Sequence, residues 1–139
     1  MQQQEQKANF SSMSENELGR LIINTAVLMH KRIGPGLNCS IYEAILKNEL
    51  KQQKINVAHN VCVPLIYEGL RFDEGFKIDL LVENSVHIKI KTADRISEAN
   101  KKQMLTHLKL TNCKLGFILN FDASLMKEGI VRIINGKLK

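Results

Sequence analysis

Tryptophan is absent from this chain, and aromatic residues make up only 5% of it. Any core must therefore be built mostly from Ile, Leu and Val. Hydrophobic residues fill 44% of the 139 positions, enough to bury such a core, which excludes disorder for most of the chain. The length suits one domain. There are three cysteines, Cys39, Cys62 and Cys113. An odd count at these spacings gives neither a disulfide framework nor a zinc site and suits a reducing compartment. No run approaches the roughly 18 apolar residues of a membrane span. The polar start MQQQEQKANFSS lacks the apolar centre of a signal peptide. The expectation is a cytoplasmic protein with no membrane partner. A glycine-rich phosphate loop is missing too: GPG at 34–36 reads as a helix stop.

Negative charge is in short supply. Lys and Arg number 20 against 14 Asp and Glu, a formal net charge of +6. The excess is uneven, since eight basic and four acidic residues lie between Lys77 and Lys114. Such a stretch favours anionic partners, DNA or RNA among them.

Residues 1–13 read as a flexible Gln-rich tail, followed by one domain over 14–139. SENE at 14–17 is a capping box with Ser14 as N-cap. Leu18, Leu21, Ile22, Thr25, Leu28 and Met29 then share one helical face. A second helix begins near 38–40 and runs to about residue 54. NVCVPLIYEG is a strand ending in a turn, and FKIDLLVENSVHIKIK is two strands joined by a tight turn at Glu83–Ser85. Ser97 caps a third helix over 97–110. KLGFILNF reads as a buried strand and GIVRIING as the last one. The expected order is α-α-β-β-β-α-β-β.

Side chains alternate along a strand. Phe76, Ile78, Leu80 and Val82 fall on one face, and Lys77, Asp79 and Leu81 on the other. In the next strand Val86, Ile88 and Ile90 oppose His87, Lys89 and Lys91. The two apolar faces must coincide in the core, and that requirement sets the register. With a three-residue turn, Asp79 falls opposite Lys89. Lys77, Asp79, Lys89 and Lys91 then form a polar cluster on one sheet face.

Three segments in order, GPGLNCSIYEAILKNELKQQKI, VPLIYEGLRFDEGFKIDLLVENSVHIKIK and KKQMLTHLKLTNCKLGFILNF, resemble the GxxExxY proteins of the PD-(D/E)XK nuclease superfamily. The resemblance covers nearly the whole chain, from about residue 15 to residue 134. It implies a restriction-endonuclease-like α/β core, a mixed sheet flanked by helices, and Mg²⁺- or Mn²⁺-dependent cleavage of nucleic-acid phosphodiesters. It makes Asp79 the metal-binding aspartate, Lys91 the lysine that orients or activates water, and Gln103 the glutamine of the helix after the site. Gly36 and Tyr42 match the glycine and tyrosine of GxxExxY. The glutamate of that motif falls at Cys39, and the glutamate of the E-x-K pair falls at Lys89.

Those two replacements matter physically. Mg²⁺ is hard and takes oxygen ligands in an octahedron, and two strand carboxylates would hold it where it polarises phosphate and water. Lys89 puts an ammonium at the second carboxylate position. At about 4 Å and an effective dielectric near 20 it attracts Asp79 by roughly 4 kcal/mol before desolvation. Glu83 lies about 13 Å along the strand from Asp79, too far to chelate with it. Glu43, one helical turn beyond Cys39, can share its face and supply a substitute acid.

Blander readings stand beside these. Strand lysines are usually solvated, Cys39 is more often a packing residue than a ligand, and Lys101–Lys102 is most simply helix surface. The favoured expectation is a nuclease-fold pseudoenzyme with a decayed metal site, binding nucleic acid or protein without cleavage and needing no cofactor. Its nucleic-acid contacts would be Lys77, Lys89, Lys91, Lys101 and Lys102, with Asp79 a weak metal ligand. The alternative is a working Mg²⁺- or Mn²⁺-dependent nuclease with a rearranged site of Asp79, Glu43, Lys91 and Gln103. A scaffold without nucleic acid is the third reading.

Overall fold

The computed structural model describes residues 13–138. The Gln-rich segment therefore lies outside the described residues, except Met13, which packs against the core. Helix α1 (Glu15–Ile33) begins at the expected capping box: Ser14 Oγ accepts from Glu17 N–H, and Glu17 Oε1 accepts from Ser14 N–H. Its first turn is acidic and its last turn basic, as the helix dipole favours. Gly34, at φ 81°, ends it. Helix α2 (Cys39–Gln52) follows, then strands β1 (Val57–Tyr67), β2 (Leu70–Val82) and β3 (Val86–Lys91). Helix α3 (Glu98–Thr111) starts at a second capping box, from Ser97 and Asn100. Strand β4 (Leu115–Asn120), a 3-10 turn (Met126–Gly129) and β5 (Ile130–Ile134) complete the order.

The five strands pair in chain order. β3 and β4 run parallel, joined by the α3 crossover, and the other neighbours are antiparallel. One sheet face is apolar: Leu80, Val82, Val86, Ile88, Ile90, Phe117 and Leu119 pack under α1 (Leu18, Ile22, Ala26) and α2 (Tyr42, Leu46, Leu50). The other face is covered by α3, whose Met104 and Leu108 pack on Ile118. Gly116 is what lets this helix lie close, because a Cβ there would stand 2.5 Å from Met104 Sδ. Among the described residues no helix is long and apolar enough to cross a membrane.

Two local readings are corrected. β2 begins at Leu70, well before the FKIDLLV segment, so β1 and β2 form a long hairpin that pairs as far as Tyr67↔Leu70. Asp73–Gly75 hid it, because they break the alternation; the register shifts there, between Val63 and Leu65. Phe76 also leaves the apolar face. Its ring stacks on His107 of α3, centroids 4.0 Å apart.

Candidate functional site

The β2–β3 ladder runs through Val82↔Val86, Leu81↔His87 and Leu80↔Ile88. Continued, this register sets Asp79 opposite Lys89, as the alternation requires. The next hydrogen-bonded pair would be Ile78 with Ile90. The Ile90 N–H instead donates to Asp79 Oδ2 at 3.0 Å. The carboxylate thus takes over a ladder bond at the point where the strands part. Asp79 Oδ1 lies 3.6 Å from Lys89 Nζ, so both of its oxygens face a donor. The aspartate side chain is 14% exposed and the lysine 39%.

Helix α3 closes the cluster from above. Asn100, Gln103 and His107, at helical spacing, line a gap with Lys77, Asp79, His87 and Lys89. The gap holds about 20 Å³, room for one water. Gln103 and Asp79 thus line the same gap. Asn100 was not singled out from the sequence, although its stripe with Gln103 and His107 (i, i+3, i+7) was visible there. His87 is fully covered and shares a 2.9 Å hydrogen bond with the Thr111 hydroxyl. Burial, and secondarily His107, pull its pKa down to about 4. His107 also titrates below its ordinary value. Burial is the main cause, with Lys89 lowering it further and Asp79 opposing. Both imidazoles are then neutral at pH 7, and the charges of the cluster are those of Asp79 and the lysines.

The remaining candidates lie around the rim. Lys91 ends β3 opposite Asn120, and its carbonyl accepts from Phe121 N–H. It does not line the gap at Asp79. Lys77 and Lys102 are exposed, and Lys101 Nζ donates to Glu98 at 3.3 Å. A wider cleft of about 690 Å³ opens next to Lys101, between the 34–36 loop, residues 93–96 and residues 120–124.

Gly36 and Tyr42 hold the loop between α1 and α2. The Tyr42 hydroxyl donates to Gly34 O at 2.7 Å and accepts from Leu37 N–H, while its ring stacks on Phe121. Gly36, at φ 106°, donates its N–H to Asp122 Oδ1. This clasp sets the first residue of α2, Cys39, against the end of β3, with Sγ 3.7 Å from Ile90 O and 3.4 Å from Thr92 Oγ1. Cys39 and Asp79 thus reach the same residue, Ile90, one at its carbonyl and the other at its amide. A glutamate at 39 would bring a carboxylate to the place where the strands part. Glu43 goes elsewhere: its carboxylate meets His59 Nε2 of β1 at 2.9 Å.

Does this donor set fit a hard dication? One carboxylate, already engaged by an amide and an ammonium, is a poor partner for Mg²⁺ or Mn²⁺. Among the described residues no three His, Cys, Asp or Glu side chains group to hold an ion. As placed, the residues do not fit the metal.

The model of the PD-(D/E)XK nuclease superfamily matches residues 16–133. No curated protein and no solved structure gives a match.

Proposed function

The chain belongs to the PD-(D/E)XK nuclease superfamily, and from that premise we propose that it is a cytoplasmic pseudoenzyme that binds DNA or RNA without cutting it. The fold is the restriction-endonuclease-like α/β core of that superfamily. Gly36 and Tyr42 support a place beside the GxxExxY proteins within it, although Cys39 replaces the glutamate of that motif. One observation carries the reading: Lys89 Nζ lies 3.6 Å from Asp79, a cation supplied by the chain where the superfamily recruits a metal. An ammonium attracts a phosphate as a metal does. It lowers the pKa of a neighbouring water far less than a coordinated dication does, and that activation is the metal's further contribution. Binding then outlives catalysis. Lys77, Lys91, Lys101 and Lys102 extend the positive surface around the pair. The three free thiols suit a reducing compartment. A working nuclease that recruits Glu43 would have to draw that carboxylate away from His59.

The test combines metal calorimetry with nucleic-acid binding at several salt concentrations. Affinity for a short duplex or single strand should fall steeply with salt, and Lys101→Ala with Lys102→Ala should shallow the slope by up to about two. The parent should bind Mn²⁺ poorly. Lys89→Glu, and more so Lys89→Glu with Cys39→Glu, should bind it better. Absence of binding at low salt would favour a scaffold. Mg²⁺-dependent cleavage by the parent, abolished in Asp79→Ala, would sink the proposal outright.

A further inference from the structure

The far end of the β1–β2 hairpin has no part in the site above. Beyond the register shift the pairs are Leu65↔Phe72, Ile66↔Arg71 and Tyr67↔Leu70. By strand alternation Leu65, Tyr67, Leu70 and Phe72 share one face of this arm. Tyr67, Leu70 and Phe72 are 64%, 62% and 50% exposed, so the described residues leave them largely uncovered. Gly75 lets the two strands approach closely at the register shift, because a Cβ there would stand 2.7 Å from Leu65 Cβ. The arm carries three carboxylates, Glu68, Asp73 and Glu74, against one cation, Arg71, which Asp73 already pairs at 2.8 Å. In a chain of net charge +6 this is an acidic outlier. Its carboxylates would repel a phosphate backbone, which argues against nucleic acid as its partner. Pro64 lacks an N–H on the outer strand, so the arm is poorly suited to extending the sheet edge to edge. The apolar face, not the edge, is the part left to be covered.

A surface of matching chemistry lies on the same molecule. α1 ends in the exposed Lys31 and Arg32, and Leu28 and Ile33 of the same helix are 49% and 39% exposed. Leu28, Met29, Ile33 and Ile45 line a groove between the two helices, with Arg32 on its α1 side and Glu49 on its α2 side. We propose that this apolar groove, basic along its α1 edge, takes the acidic-edged apolar arm of a second copy of the chain, in a twofold dimer. Twofold symmetry makes each arm-in-groove contact twice, doubling the area buried by one modest patch. The apolar side chains supply the affinity, while Glu68 and Glu74 meeting Lys31 and Arg32 select the pairing and steer it.

Sedimentation equilibrium of the full chain tests this. The parent should dimerise. Tyr67→Ser with Leu70→Ser on the arm, or Leu28→Asp in the groove, should weaken the dimer about thirtyfold or more. These positions are exposed, so circular dichroism should be unchanged. A chain with Glu68→Lys and Glu74→Lys should pair weakly with itself but form a heterodimer when mixed with one carrying Lys31→Glu and Arg32→Glu. A parent that stays monomeric at its highest soluble concentration overturns the proposal. So does a dimer that the arm variants leave intact, a swapped pair that does not recombine, or an arm variant whose main loss is nucleic-acid affinity.

Discussion

The two faces of the sheet are built on different terms. Under α1 and α2 the cover is continuous: Leu80, Ile88 and Phe117 are at most 1% exposed, and the side chains packed there are almost all apolar. Under α3 the apolar part shrinks to Met104, Leu108 and Ile118, and Asp79, His87, Lys89 and His107 fill the rest. Both faces belong to the same strands, and alternation places most residues, Phe76 excepted. The apolar face is fixed by volume, whereas the other is held by a few hydrogen bonds and charges. Stability should therefore reside chiefly on the first face, and binding chemistry on the second.

The largest effect should come from breaking the apolar face. Phe117→Ala removes a fully buried ring that packs against α1 at Gly19. Its cost in urea denaturation should be about 3–5 kcal/mol. His107→Ala on the other face removes a half-buried ring stacked on Phe76 and should cost only about 0.5–1.5 kcal/mol. Equal losses would mean that α3 is as much a part of the core as α1.

How much of this was legible in the sequence follows the same division. Parity of FKIDLLV against VHIKIK fixed the register, because one slip would bury Asp79 and Lys89 among Leu80 and Ile88. Ser14 and Ser97 showed themselves as caps because their hydrogen bonds are local. The α3 face was harder. Alternation puts His87 with Lys89, but nothing in the strand tells that Thr111, 24 residues on, will cover one and leave the other half-open. Cys39 could be matched to a motif, yet its contact with Ile90 depends on the Tyr42 clasp and on loop geometry. The β1–β2 arm was missed where Asp73–Gly75 interrupt the period.

A middle-sized effect follows from His87. Its folded pKa, about 4, lies below an unfolded value near 6.5. Between those values the unfolded chain binds more protons, so stability is full above about pH 6.5 and declines as pH falls toward 4. From pH 7 to 4.5 the loss due to His87 should be roughly 2 kcal/mol. Urea titrations at the two pH values, for the parent and for His87→Gln, measure it by difference. An unchanged pH dependence in the variant would place the acid sensitivity elsewhere.

The smallest effect bears most on function. Asp79 has two partners, and they should differ in worth. The Ile90 N–H is a covered ladder donor, and losing its acceptor in Asp79→Ala should cost about 1–3 kcal/mol. Lys89 is 39% exposed and stands at 3.6 Å, an ion pair open to solvent. Its coupling to Asp79 should be under about 1 kcal/mol, well below the Coulomb attraction before desolvation. A double-mutant cycle with Asp79→Ala and Lys89→Met, read by urea denaturation, isolates that coupling. A small value leaves the ammonium with little structural reason to stand there, and gives weight to its role toward phosphate. A coupling of several kcal/mol would make Lys89 a structural counter-ion of a misplaced carboxylate. The case for a cation standing in for a metal would then lose its support, even if the surface still bound nucleic acid.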